Sequence, residues 1–330
     1  MKEMRFYIDT PSIKFHRQSE NGDFQIDFDL NRDGFVAKLK VRLDPNSVEW
    51  GTVGDEDEQY PISFDKLIIS LSTELEISSH EFLENAYFAV TEHLTILFRY
   101  IQIELGQYWV DIGTIPDWNL YAFIYKTNAK WVVEGIEKKV IIPLGGFSKK
   151  SSILFADKER QYPDWCSDGL DMKQVPIIKN WVEEHKPIEL EKQLIAESKR
   201  LLLRGDYKSS SVFAITALER PLEAFVKKRC KNKGISKKSL DNYDKNHYVS
   251  DYLKLLLPLV LEPNELTKWL RSSKRRYTEK LNDNEIIEWA IDLNKVRNGA
   301  VHEGKTPEFE TIDKGIFAVE VIYEFVKEGS

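Results

Sequence analysis

The chain has 330 residues, of which 42% are hydrophobic and 31% charged, and a formal net charge of −7. That length accommodates two domains with cores of their own, and the composition is that of a soluble globular protein. An acidic balance argues against a general nucleic-acid binder. A transmembrane helix is also excluded on sequence, because the most apolar run, Ala86 to Ile101, is interrupted by Glu92, His93 and Arg99.

The opening MKEMRFYIDT lacks the apolar core of a signal peptide, so a cytoplasmic protein is expected. Cys166 and Cys230 have no partner spacing for zinc or a redox pair, and His16, His80, His93, His185, His247 and His302 are scattered. No Gly-rich phosphate loop or nucleophile elbow is present. No cofactor is therefore expected.

Residues 1–145 predict an α+β domain, an antiparallel sheet with one long helix. Phe6–Ile8, Phe24–Phe28, Phe35–Leu43 and Leu67–Leu75 alternate apolar with polar residues, and Tyr121–Lys126 and Trp131–Ile142 read as further strands. Between them Ser79–Leu105 carries an apolar stripe at helical spacing. Asp29, Asn31, Asp33 and Gly34 imitate half of a calcium loop, but Lys40 stands where the bidentate Glu belongs, so NRDG reads as a turn. The aromatic residues of this half, Trp50, Trp109, Trp118 and Trp131 among them, read as core. The domain shows no legible chemistry, and it is a candidate seat for an activator or inhibitor, a sensor or a substrate selector.

From residue 146 to 186 periodicity lapses, and Gly145, Gly146, Pro163, Gly169 and Pro176 mark a linker or irregular docking segment. Residues 187–330 then read as all α-helical. Pro187 suits a first helical turn, and a helix runs to Gly205-Asp206. The next, Tyr207–Cys230, is expected to kink or break at Pro221. Lys227–Lys245 reads as an irregular basic loop, followed by helices over Tyr248–Leu261, around Leu266 to Leu270, and over Phe309–Lys327.

Charge is uneven along this half. Val226–Lys280 holds 15 Lys and Arg against 6 Asp and Glu, while the rest of the chain holds 32 against 48. Lys227, Lys228, Arg229, Lys274, Arg275 and Arg276 are thus candidate contacts for a polyanion, which the resemblance described below would make RNA, the alternative being a solvated surface.

The most specific string is VRNGAVHEG. Ile286, Trp289, Ala290, Leu293, Val296 and Ala300 recur at steps of three and four, predicting an amphipathic helix that starts at an Asp283 or Asn284 cap and stops near Gly304 and Pro307. On a straight helix Arg297 and His302 lie about 140° and about 7.5 Å apart, so they diverge. Either the helix bends at Gly299, or a second copy across a dimer completes the site.

The R-N-x-x-x-H pattern of Arg297, Asn298 and His302 resembles the signature of the HEPN family, and LLLRGDYKSSSVFAITALERPLEAFV resembles the opening helical hairpin of its bundle. The resemblance covers roughly residues 187–330. It implies an α-helical bundle, dimeric through facing motifs, and in many members a metal-independent endoribonuclease of antiviral defence, abortive infection or toxin modules. It also implies an acidic residue on the second helix near the catalytic groups, for which Glu219 is the candidate; otherwise Glu219 is a surface carboxylate paired with a neighbouring cation. Non-catalytic members that serve as dimerisation, nucleotide-binding or partner-docking modules are the alternative expectation.

Overall fold

The computed structural model describes residues 2–15, 24–32, 35–52, 59–74, 80–110, 127–139, 169–235, 249–272, 281–302 and 308–329. These fall into two compact units, Met1–Pro187 and Ile188–Ser330.

Among the described residues, unit 1 is built on seven strands, β1 (Lys2–Lys14), β2 (Gln25–Arg32), β3 (Phe35–Leu43), β4 (Val48–Thr52), β5 (Gln59–Thr73), β6 (Lys130–Val133) and β7 (Ile136–Lys139). All named pairs are antiparallel, in the order β2-β3-β5-β1-β6-β7, with β4 also on β5. Alternation sets the faces: β3 buries Phe35, Ala37, Leu39, Val41 and Leu43 and exposes Val36, Lys38 and Lys40. Helix α1 (His80–Ile103) covers the buried face with Phe82, Ala86, Val90, Leu94, Leu97 and Ile101. Phe82 meets Phe35, and His93 meets Phe28.

Two expectations change here. Trp131–Ile142 is not one strand: β6 and β7 form a hairpin turned at Glu134 and Gly135, with φ of 52° and 78°. Positive φ at both positions gives a turn whose twist matches the strands. The Glu137 carboxylate pins this hairpin to β1, taking Lys130 Nζ at 2.6 Å, the Tyr7 hydroxyl, and Arg5 Nη1 at 3.1 Å; these partners hold its pKa down to about 2. Second, the segment read as irregular between 146 and 186 contains helix α2 (Val175–Glu183), begun by Pro176 and fixed by buried Ile178, Trp181 and Val182. Arg32 pairs with Phe35, in keeping with NRDG as a turn; Asp33 and Gly34 themselves lie outside the described residues, as does the expected strand Tyr121–Lys126.

Unit 2 is helical. Helix α3 (Leu190–Leu203) starts three residues beyond Pro187, and Gly205 at φ 78° turns the chain into α4 (Tyr207–Asn232), capped by the Asp206 carboxylate on the Ser209 amide at 3.1 Å. Buried Ser198 and Ser210 exchange hydroxyl-to-carbonyl hydrogen bonds at 2.8 Å, which brings α3 and α4 close. Pro221 does not break α4, because fully buried Leu218 and Leu222 anchor the helix on both sides of it. Helical residues 249–260 contain a π turn over Tyr252–Leu256, closed by the Leu257 amide on the Tyr252 carbonyl. Pro258 follows at once; its ring would crowd the carbonyl four residues back, and the wider turn relieves that.

Helices α5 (Glu265–Ser272), α6 (Asp283–His302) and α7 (Phe309–Glu328) complete the unit around a continuous apolar core. Among the described residues no helix is long and apolar enough to cross a membrane.

Candidate active site at the end of the motif helix

Helix α6 carries the motif, and its start differs from the expected caps. The Asn282 side chain accepts from the Glu285 amide at 3.0 Å while Glu285 accepts from the Asn282 amide at 2.9 Å, a reciprocal capping box. Asp283 is displaced from that role because it caps another helix: its carboxylate accepts from the amides of Leu266 at 3.3 Å and Thr267 at 2.8 Å at the start of α5. The spacing Asn282-x-x-Glu285 was the legible signal.

Along its length α6 buries Ile286, Ile287, Ala290 and Leu293. Leu293 lies against Gly315 of α7, where an added Cβ would come within 2.5 Å of the Leu293 Cβ. Asn294, 3% exposed, has an Oδ1 with no hydrogen-bond partner.

At the far end Arg297 turns to α4. Its Nη1 lies 3.0 Å from Glu219 Oε1, with the two side chains 29% and 38% exposed. The structure thus brings together one pair of the expected site residues from two helices distant in sequence. Asn298 is exposed one residue on, and the helix continues without interruption through Gly299, whose missing side chain faces open space. His302 closes the helix, and its side chain lies outside the described residues, as do Gly304 and Pro307.

Guanidinium and carboxylate in this setting hold each other in place more than they stabilise the fold, since a half-exposed ion pair contributes about 0–1 kcal/mol. With Nη1 on the carboxylate, the guanidinium has further N–H donors that it can offer to a phosphate.

The basic residues divide differently from expectation. Lys227, Lys228 and Arg229 belong to the last turns of α4, not to an irregular loop, because the helix runs on through buried Val226 and Cys230. Lys227 Nζ pairs with Glu223 at 2.6 Å, and Arg229 Nη2 pairs with Glu265 at 2.6 Å while its guanidinium covers the Phe225 ring at 5.1 Å. Arg229 therefore ties α4 to α5. Lys228 is exposed on the same helix, and Lys274, Arg275 and Arg276 lie outside the described residues. Among the described residues no cluster of three or more His, Cys, Asp or Glu side chains is arranged to hold a metal ion.

No protein-family model, no curated protein and no solved structure matches this chain.

Proposed function

We propose that unit 2 is an endoribonuclease of the HEPN type that acts in the cytoplasm in phage defence or as a toxin. The observation that carries this reading is the contact of Glu219 with Arg297, which joins the acidic residue and the motif that the resemblance pairs.

The chemistry asks for little. A ribose 2′-hydroxyl attacks the adjacent phosphorus, the 5′-oxygen leaves, and the products are a 2′,3′-cyclic phosphate and a 5′-hydroxyl. His302 moves the proton, being the side chain that titrates near neutrality. Arg297 stabilises the charge that builds on the phosphate oxygens, and Asn298 orients His302 or the phosphate. Five residues apart, Arg297 and His302 lie about 140° apart around a regular helix, and the functional unit proposed is accordingly a two-fold dimer in which facing motifs complete the site.

The test uses purified full chain in EDTA with a broad pool of single-stranded and loop RNA. Cleavage to cyclic-phosphate ends is expected; His302→Ala and Arg297→Ala should each lose on the order of 10²–10⁴-fold in rate while remaining folded, and DNA should resist. Wild type that cuts no RNA with or without metal and with or without unit 1, or His302→Ala that cuts as wild type, returns unit 2 to the partner-docking reading.

A further inference from the structure

His93 and His185 meet where α2 lies against α1. His93 is 8% exposed on α1; its Nδ1 stands 2.7 Å from the Ala89 carbonyl, and its ring packs edge-on to Phe28 of β2 at 5.0 Å. A carbonyl only accepts, so Nδ1 carries the proton of a neutral ring. His185 follows the end of α2, with its ring perpendicular to that of His93 at a centroid distance of 6.3 Å. Its Nε2 is 3.0 Å from Glu92 Oε1 and its Nδ1 3.2 Å from the Glu183 carbonyl. Both ring nitrogens of His185 thus face acceptors.

The backbone marks the same place. Helix α2 stops with the Lys186 amide on the Trp181 carbonyl at 3.1 Å and the His185 amide on the Val182 carbonyl at 3.2 Å, the double-bonded ending in which the left-handed position usually belongs to Gly. Here that position holds His185 at φ 48°. A Cβ is strained there, and strain retained at a position points to what the side chain does. What this one does is reach Glu92 of α1 and stand beside His93.

We propose that His93, His185 and Glu92 form a proton-operated clasp that holds α2 on α1 and releases it when His93 takes up a proton. This control belongs to unit 1 and stands apart from the nuclease reading. The charges facing His93 are Glu92 from its own helix and Glu183 and His185 from the end of α2; Lys179 pairs with Glu183 at 3.5 Å, and Phe28 brings no charge from β2. Burial is the largest influence and disfavours the charged ring, His185 adds to it, and Glu92 and Glu183 oppose it, so the His93 pKa is held below its ordinary value. A group depressed in this way stabilises the docked arrangement above its free value, and that contribution is lost as pH falls through the depressed value. An imidazolium formed in this site regains water by displacing α2. Because α2 is the last helix before Ile188, its release changes the segment through which unit 1 is joined to unit 2.

The experiment is hydrogen exchange of the full chain, corrected for intrinsic exchange rates, following peptides from residues 175–187. Protection there should fall on the order of tenfold between about pH 7 and about pH 5, while peptides from α4 keep theirs. His93→Phe, which retains a ring against Phe28 and cannot be protonated, should keep protection at the lower pH. A side-chain NMR titration of wild type supplies the second reading, in which the His93 ring must titrate in step with the loss of protection. Unchanged protection across this range, loss in His93→Phe equal to wild type, or a His93 ring that stays neutral while α2 opens would each overturn the clasp.

Discussion

The two ends of α6 are held in different ways. At its start Asn282 and Glu285 cap each other, and Asp283 reaches over to cap α5, so the first turn is fixed by four backbone-to-side-chain hydrogen bonds. At its end the described contact is the Glu219–Arg297 ion pair, and Asn298 and Gly299 beyond it face outward. Hydrogen bonds that satisfy helix-end amides are worth about 1 kcal/mol apiece when lost, whereas a half-exposed ion pair is worth a fraction of that. The helix is thus anchored where no chemistry is proposed and accessible where chemistry is proposed.

The strongest way to break this contrast is at the middle of the helix. Gly315→Ala puts a Cβ within 2.5 Å of the Leu293 Cβ, and both positions are buried in the α6 and α7 core, so something there must shift. Overpacking of this kind costs about 1–3 kcal/mol. Thermal unfolding should show the loss, and RNA cleavage measured well below the transition should fall with it as α6 shifts. Full stability in Gly315→Ala would mean that the two helices are looser than their contact implies.

A smaller effect belongs to the anchored end. Asp283→Ala removes the acceptor for the Leu266 and Thr267 amides and should cost about 1 kcal/mol by loss of the α5 cap. Cleavage should be unchanged, because the Asn282–Glu285 box still begins α6. Activity lost beyond what the unfolding curve explains would show that the two ends are coupled after all.

How much of this was legible in the sequence follows from which interactions are local. Alternation in FVAKLKVRL predicts β3 and its buried face outright, since period two is a property of the strand itself. The stripe of Ile286, Ala290 and Leu293 likewise predicts α6. The hairpin at Glu134 and Gly135 was missed because Glu is an uncommon residue at positive φ, and only the pairing of β6 with β7 forces it there. Pro221 predicts a kink or a break, and no break occurs: the cost of a lost helical hydrogen bond is local, but the burial of Leu218 and Leu222 that outweighs it is tertiary. The candidate site divides in the same way. Arg297, Asn298 and His302 are adjacent and were readable as a string, whereas Glu219 reaches Arg297 only because α4 packs beside α6, which periodicity does not encode. The ion pairs that occupy Lys227 and Arg229 were equally out of reach, since they depend on α4 continuing to Asn232 and on the position of α5.

The smallest expected effect on stability is also the most telling for the free end. Glu219→Gln keeps the shape of the side chain and removes its charge, so unfolding should move by less than about 1 kcal/mol. Its effect on cleavage depends on what the carboxylate does for Arg297. If it holds the guanidinium where phosphate charge develops, losing it costs little binding and some transition-state stabilisation, and kcat should fall by about tenfold with KM unchanged. Glu219→Asp should recover part of that loss. A carboxylate that merely competes with RNA for Arg297 gives the opposite sign, a lower KM in Glu219→Gln with kcat retained. The contact geometry, guanidinium to carboxylate at 3.0 Å from a neighbouring helix, favours the first outcome, because a competitor needs only to be nearby while a positioning group must hold one orientation. Kinetics identical to wild type in Glu219→Gln would leave the pair as surface electrostatics and remove the observation on which the nuclease reading rests.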